Sequence, residues 1–221
     1  MSAPEALSVA PLGDRALLLT LSGPAEQSNS RIAAIADLLL EESRREARRV
    51  VLDVTPAMTS LAVFFDPAAT SAAEIERRLR DAAARAEVRE DGSPRVHTVP
   101  VTYDGPDLAD AATRLGIGTA ELIRRHSQRR YRVRFLGFAP GFAYLGPLDP
   151  GLVLPRRGEP RPRVPAGSVA IAGDQTAIYP FETPGGWHLI GRTPIVPFDT
   201  GRDPPSLFAA GDVVRFEPVA P

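Results

Sequence analysis

The sequence contains no cysteine and no lysine, and these two absences exclude several kinds of chemistry. Without cysteine the chain has no disulfide, no thiolate metal ligand and no cysteine nucleophile. All 26 basic residues are arginine, which excludes a Schiff-base lysine and the lysine of a Gly-x-x-x-x-Gly-Lys phosphate loop. The 3 histidines lie far apart in the sequence, and because no two of them have metal-ligand spacing, we expect no metal site.

The sequence also lacks an excess of one charge and a long apolar run. Its 26 basic residues nearly balance 27 acidic ones, for a formal net charge of −1, whereas proteins that bind nucleic acid usually carry a basic excess. No apolar stretch approaches the roughly 20 residues that a membrane span needs. The N-terminus has neither the basic region nor the apolar core of a signal peptide. We therefore expect a cytoplasmic protein that binds neither nucleic acid nor a membrane.

Proline and glycine are concentrated late in the chain. Residues 137–221 contain 15 of the 23 prolines and 12 of the 18 glycines. This distribution predicts regular elements first, followed by short strands joined by tight turns. The best candidate for a linker is segment 90–94, so we predict an N-terminal domain over residues 1–92 and a second domain over residues 93–221.

The N-terminal domain is predicted to be an α+β domain with a ferredoxin-like fold. An apolar stripe at helical spacing starts at Ile32, and Ser71 with Glu74 has the spacing of a capping box at the start of a second helix. With these helices, the order of elements is β-α-β-β-α-β, which is that of the split βαβ unit. The predicted strands are residues 15–21, 50–54, 61–65 and 96–102.

The second domain is predicted to be mainly β. Two short helices over residues 107–115 and 119–127 have the glycine spacing of a helix-turn-helix, but in a near-neutral chain we expect them to cover one end of a sheet. Short strands bounded by glycine, proline or aspartate then predict a β-barrel or a sandwich. These strands are residues 130–136, 168–172, 176–179, 187–190 and 212–216.

The first of three turn-rich stretches in the second domain interleaves aromatic residues with glycines. A Pro-Gly turn in this stretch favours exposed ring faces on which a small ligand or a peptide could stack. The alternative is a hydrophobic plug that closes the end of the barrel. The candidate residues for a substrate or partner cleft are Phe138, Pro140, Gly141, Phe142 and Tyr144.

The second stretch contains a Gly-Ser turn among prolines and arginines. Backbone N–H groups of such a turn can bind an anion, with Arg161 or Arg163 above it. The alternative is a proline-stiffened crossover loop with solvated arginines. The candidate cleft residues here are Arg163, Pro165, Gly167, Ser168, Gln175 and Thr176.

The third stretch places Gly185 and Gly186 before Trp187, where two glycines permit a close approach of the backbone. Arg192 could form a bidentate pair with a carboxylate, or it could only brace the turn. His188 is expected to be an ordinary strand residue with one hydrogen bond.

No catalytic constellation can be assembled from the sequence. His126 is a weak candidate for a general base, since a lone histidine on a helix is more often structural. The residues alone therefore indicate two domains, with a ligand or partner cleft in the second one.

Taken together, the three stretches resemble one protein family. They read Gly-Phe-Ala-Pro-Gly-Phe-Ala-Tyr-Leu at residues 137–145, Val-Pro-Ala-Gly-Ser-Val-Ala-Ile-Ala-Gly-Asp-Gln-Thr at residues 164–176 and Thr-Pro-Gly-Gly-Trp-His-Leu-Ile-Gly-Arg-Thr at residues 183–193. The family is that of the 5-oxoprolinase B subunit, also called allophanate hydrolase subunit 1, and it includes the kinase inhibitor KipI. Residues 13–16 and 122–127 match as well. The departures are small, such as alanine at positions 139, 143 and 177.

The resemblance implies a cyclophilin-like β-barrel as the second domain and an obligate partner. That partner is a homologue of the 5-oxoprolinase C subunit, of the allophanate hydrolase subunit 2 type, joined by an amidohydrolase-like A subunit. Such complexes hydrolyse 5-oxo-L-proline, a small carboxylate substrate, to L-glutamate with ATP. The present chain is then expected to be inactive alone, with ATP bound at the level of the complex. The alternatives are an allophanate hydrolase or urea carboxylase-type subunit 1, and a non-enzymatic inhibitor that binds a sensor histidine kinase.

Overall fold

The computed structural model describes residues 6–46, 48–87 and 94–220. The chain divides into two compact units, residues 1–92 and 93–221, and each unit has its own hydrophobic core. The predicted linker over residues 90–94 lies outside the described residues except for Pro94.

The first unit is an antiparallel sheet that packs on two helices. The helices follow their sequence signals, since Ile32 and Ile35 of the apolar stripe are buried and the Ser71 hydroxyl accepts a hydrogen bond from the Glu74 N–H at 3.2 Å. The strands have the spatial order β1-β2-β4-β3. The elements are β1 (Ala6–Pro11), β2 (Ala16–Ser22), α1 (Ala25–Arg45), β3 (Val51–Pro56), β4 (Ser60–Phe65) and α2 (Ala72–Arg85).

The predicted β-α-β-β-α-β order is wrong at its last strand. Strand β5 (Val96–Val101) belongs to the sheet of the second unit, where it runs parallel to β13 (Val213–Pro218). There it buries Val99 and Val101 in the second core. The edge beside β2 in the first unit is instead occupied by β1, a strand that the sequence analysis missed. Its last residue is Pro11, which an edge strand tolerates.

The second unit is built on a seven-stranded sheet. Thr102, directly after β5, and Arg192, at the far edge of the sheet, exchange two backbone hydrogen bonds of 2.9 Å. The two edge strands are thereby joined at one end, so the prediction of a barrel is confirmed as a nearly closed, barrel-like sheet. In spatial order the strands are β12 (His188–Arg192), β9 (Ser168–Ala172), β10 (Gln175–Ile178), β7 (Ala143–Gly146), β6 (Arg130–Leu136), β13 and β5.

Shorter elements complete the second unit. The predicted helix pair is present as α3 (Leu108–Arg114) and α4 (Thr119–Gln128), followed later by a 3-10 turn (Pro150–Leu152). A separate two-stranded ribbon is formed by β8 (Arg161–Val164) and β11 (Thr183–Gly185). None of the helices in the described ranges is both long and apolar enough to cross a bilayer.

Strand alternation gives the barrel-like sheet two apolar faces. All five residues of β9 are buried. Val169 and Ile171 join the inner core, whereas Ala170 and Ala172 join a separate outer cluster. Because neighbouring strand residues point to opposite faces, the small alanines of β9 leave room for large rings on the outer face.

Candidate functional site

Aromatic residues from all over the second unit meet on the outer face of its sheet. The ring of Phe142 contacts four other rings, with centroid separations from 4.9 to 5.7 Å; they belong to Phe138, Tyr144, Tyr179 and Trp187. All four contacts are T-shaped, so the positive edge of one ring meets the negative face of another. We call this group the outer aromatic cluster; its members are Phe138, Phe142, Tyr144, Tyr179 and Trp187.

The outer aromatic cluster has a buried centre and an exposed rim. Phe142 and Trp187 are 1% and 5% exposed, whereas Phe138 is 62% exposed. Tyr144 is half-buried. The centre of the cluster therefore packs on the outer face of the sheet and not at the end of the barrel, and the rim presents rings to solvent.

The rim residue Phe138 has an unusual backbone. Its φ angle is 67°, in the left-handed region that a bulky side chain rarely adopts. In the same turn, Gly141 packs closely against Phe198, because an added Cβ at Gly141 would lie 2.6 Å from the Cβ of Phe198. The surrounding contacts thus hold an exposed aromatic ring in a strained conformation, which is typical of functional positions.

The close approach predicted at the Gly-Gly pair occurs at Gly185. A Cβ there would lie 2.3 Å from the Tyr179 hydroxyl oxygen, whereas at Gly186 the nearest atoms are 3.8 Å away. Burial raises the pKa of Tyr179 to about 12. Gly185 therefore lets a neutral phenol pack against the backbone beside Trp187.

A buried carboxylate holds the arginine-rich loop against the barrel. Asp107, at the start of α3, is 3% exposed. It accepts hydrogen bonds of 2.6 to 2.8 Å from Arg157 and Arg161 and one of 2.7 Å from the Leu189 N–H. Burial raises the pKa of the Asp107 carboxyl, but the Arg161 and Leu189 hydrogen bonds outweigh this effect and leave the pKa below its usual value. No local signal in the sequence indicates this network, because its partners lie 50 to 82 residues apart.

Two N–H groups of the Gly-Ser turn, where an anion site is predicted, donate within the protein. The Gly167 N–H donates to the carbonyl of Tyr179 at 2.7 Å, and the Ser168 N–H donates to the carbonyl of Pro165 at 3.2 Å. Both donors are used within the protein, and Arg161 is held by Asp107 instead. An anion at this turn would therefore lack these two N–H donors, and Arg161 is not one of the solvated arginines of the alternative interpretation.

The two arginines predicted as charge anchors each lie beside a carboxylate. The Arg192 Nε donates to Asp104 at 2.8 Å, and its side chain is 66% exposed. Arg163 lies 3.9 Å from Glu182 in an exposed pair. Both pairs are exposed to solvent and therefore weak, and the role of Arg163 and Arg192 as charge anchors stays a prediction.

The remaining candidate residues are dispersed. Gln175 is half-buried at the start of β10, and Pro140 and Pro165 are exposed. Thr176 is fully buried and its hydroxyl lies 2.9 Å from the ring of His126. Thr176 therefore belongs to the inner core and not to a cleft.

The proposed general base, His126, is enclosed in the same core. It has no exposed surface, its ring stacks on Phe216 at 4.6 Å, and burial lowers its pKa to about 3. A group sealed from solvent cannot exchange protons with a substrate, so its role is structural.

His188 makes one hydrogen bond, at 2.9 Å to the carbonyl of Pro155, as expected. In the described part of the chain no three histidine, aspartate or glutamate side chains are grouped to hold a metal ion.

One further arginine of the second unit, absent from the predicted cleft residues, lies near the phenols of the outer aromatic cluster. Arg156 is exposed and forms no ion pair with the described residues, and its charge acts on the phenols of Tyr144 and Tyr179. Nothing in the sequence separates Arg156 from the other arginines of its stretch, because the partners of the others are distant along the chain.

Comparisons with known proteins cover nearly the whole chain. Residues 7–208 match the family model described as carboxyltransferase domain, subdomain C and D. The chain is 41% identical to the 5-oxoprolinase B subunit of Escherichia coli O157:H7, over 94% of each protein. It is 36% identical to the 5-oxoprolinase B subunit of Bacillus subtilis (strain 168), over 93% of this chain and 90% of that protein.

Solved structures share the fold. The crystal structure of TTHA0988 superposes with a TM-score of 0.81 at 38% identity; the match covers 94% of this chain but 40% of that longer one. The urea amidolyase of K. lactis has a TM-score of 0.78 at 19% identity, over 100% of this chain and 16% of that enzyme. At that identity the likeness shows the fold alone.

Proposed function

The chain belongs to the carboxyltransferase-domain family that includes the 5-oxoprolinase B subunit, and from this premise we propose that it is the B subunit of an ATP-dependent 5-oxoprolinase. This complex hydrolyses 5-oxo-L-proline to L-glutamate. The observation that carries the proposal is the nearly full-length match, at 36% to 41% identity, to proteins named as this subunit.

The proposed partners are an amidohydrolase-like A subunit together with a homologue of the C subunit. The designation of the relatives as one subunit of an enzyme supports a role in a complex. Large apolar side chains outside the outer aromatic cluster are exposed on the second unit, among them Val196 at 54%, Val153 at 45% and Phe181 at 40%. Such side chains are favourable at a protein interface once they are covered. They support a partner that docks on the second unit.

In this proposal the chain binds and positions a substrate and does not react with it covalently. A five-membered lactam is a poor electrophile, so in the proposed reaction ATP phosphorylates the lactam oxygen and ADP is released. One water adds to the activated carbon and the ring C–N bond breaks to give an acyl phosphate, which a second water hydrolyses to L-glutamate and phosphate. ATP is consumed at the level of the complex. The burial of His126 in the inner core supports the assignment of the acid–base steps to other subunits.

The test is ATP-dependent release of glutamate from 5-oxo-L-proline by three preparations: the chain alone, the chain with the C subunit, and the chain with both the A and the C subunits. We expect turnover only when all three proteins are present. Substantial turnover by the chain alone, or none by the complete set, contradicts the proposal. Allophanate and a sensor histidine kinase are assayed in parallel, and action on either of them instead would support the corresponding alternative.

Association with the C subunit is tested separately. We expect the co-expressed proteins to elute together in size-exclusion chromatography at micromolar concentration. Separate elution of the two proteins under these conditions counts against a stable pair.

A further inference from the structure

Five arginines lie between positions 156 and 192, and four of them have a carboxylate partner. Arg157 and Arg161 share Asp107 at 2.8 and 2.6 Å. The pairs of Arg163 with Glu182 and of Arg192 with Asp104 are described above. Arg156 differs, because it is exposed and forms no ion pair within the described ranges. Its positive charge is therefore available to an added anion.

Two hydrogen bonds place the backbone of Arg156 beside the outer aromatic cluster. The Arg157 N–H donates to the carbonyl of Gly186 at 2.8 Å, and the carbonyl of Pro155 accepts from the His188 ring at 2.9 Å. Residues 155–157 thus run alongside residues 186–188, with Arg156 at the level of Trp187. The Arg157 side chain reaches the buried Asp107, whereas that of Arg156 remains in solvent.

The surface next to Arg156 has the composition of a ligand site. Tyr144 is half-buried, and its ring lies 5.9 Å from that of Trp187. The exposed Phe138 belongs to the same cluster and has the strained backbone described above. Aromatic faces and a positive charge are the elements with which proteins bind small organic acids.

We infer that Arg156, Tyr144 and Phe138 form a binding site for a small cyclic carboxylate on the outer face of the second unit. The guanidinium pairs with the carboxylate through two parallel N–H···O contacts, and the aromatic rim covers the ring of the ligand. The inference rests on the proposed function, in which the substrate 5-oxo-L-proline carries one carboxylate on a five-membered ring. The site is complete in the single chain.

Tryptophan fluorescence can report binding at this site, because Trp187 is the only tryptophan of the sequence and lies in the outer aromatic cluster. The wild-type chain is titrated with 5-oxo-L-proline while the tryptophan fluorescence is recorded, and calorimetry repeats the titration. Pyrrolidin-2-one, the same lactam without a carboxylate, is the control ligand. We expect saturable binding of the acid and at least tenfold weaker binding of the control.

Two substitutions isolate the charge. Arg156→Ala is expected to weaken binding of 5-oxo-L-proline by about 10- to 100-fold, and Arg156→Lys to recover only a small part, since an ammonium cannot form the bidentate pair. The matched control is Arg215→Ala on β13, which removes another exposed arginine that forms no ion pair with described residues. The affinity of Arg215→Ala for 5-oxo-L-proline is expected to equal that of the wild-type chain.

The inference is overturned if the wild-type chain shows no saturable binding, if pyrrolidin-2-one binds as tightly as the acid, or if Arg156→Ala binds the acid as tightly as the wild type. Its failure is distinguishable from that of the proposed function. If the complete complex releases glutamate and its KM for 5-oxo-L-proline is the same with Arg156→Ala as with the wild-type chain, this site is excluded and the proposed function stands. Arg156-dependent binding without glutamate release by the complete complex keeps the site and removes the proposed function.

Discussion

The Nε2 atom of His126 lies 2.9 Å from the hydroxyl oxygen of Thr176, and this contact determines the tautomer of a fully buried imidazole. The Thr176 hydroxyl donates its proton to the carbonyl of Ala170 at 2.9 Å, so it must accept from His126. The proton of the ring is therefore on Nε2. The Nδ1 atom then accepts from the Tyr103 hydroxyl at 2.7 Å, and every polar atom of the ring has a partner.

Stability should depend on pH through His126. Burial lowers its pKa to about 3 from 6.5, so between these values the unfolded state binds a proton that the folded state does not. The stabilisation is complete above the unfolded pKa and decreases as the pH falls below it, with a limiting slope of about 1.4 kcal/mol per pH unit. Urea unfolding of the wild type and of His126→Gln from neutral pH down to about pH 4.5 measures this difference. Equal pH slopes in the two proteins would contradict the assignment.

The Asp107 network should be a major source of stability in the second unit. Asp107→Asn leaves Arg157 and Arg161 without their carboxylate, and since both guanidiniums are partly exposed we expect a loss of about 2–3 kcal/mol in unfolding free energy. The matched control on the same helix is Asp110→Asn, whose exposed pair with Arg114 should contribute about 0.5 kcal/mol or less. Equal losses in the two variants at neutral pH would show that Asp107 has no special role.

The two neighbouring glycines should respond differently to an added methyl group. Gly185→Ala places a Cβ against the Tyr179 hydroxyl, and because that phenol is buried we expect a destabilisation of about 1–3 kcal/mol. The fluorescence of Trp187 should also shift. Gly186→Ala meets only atoms at 3.8 Å and should leave both measurements nearly unchanged. If chemical denaturation ranks Gly186→Ala as the more damaging variant, the packing described for Tyr179 is wrong.

The backbone strain at Phe138 is tested by two small replacements. Alanine removes the ring but keeps a Cβ at a φ of 67°, whereas glycine removes both the ring and the strain. Left-handed backbone costs a residue with a side chain about 1–2 kcal/mol, and glycine loses part of this advantage through its more flexible unfolded state. Phe138→Gly is therefore expected to be about 1 kcal/mol more stable than Phe138→Ala. A more stable alanine variant would exclude strain at this position.

Local signals in the sequence were sufficient for the elements whose physics is local. The capping pair Ser71 and Glu74 starts α2 as predicted, because an N-cap forms within one helical turn. The alternation over residues 130–136 gave the bounds of β6, since side chains on a strand alternate between a buried and an exposed face. The three motifs likewise indicated that Phe142 and Trp187 belong to one region of the molecule, which the ring contacts show.

Only the tertiary structure decided which distant segments meet. Strand β5 was assigned to the wrong sheet because Val96 pairs with Val213 near the end of the chain, and no local pattern encodes that choice. The arginines of the second domain look alike in sequence, yet Arg157 pairs with Asp107 from 50 residues away, whereas Arg156 has no carboxylate partner among the described residues. The sequence by itself determined the periodicity, the caps and the family motifs. Which strands pair and which charges are balanced was decided by the folded chain, because sheet closure and ion pairing join groups that are close only in space.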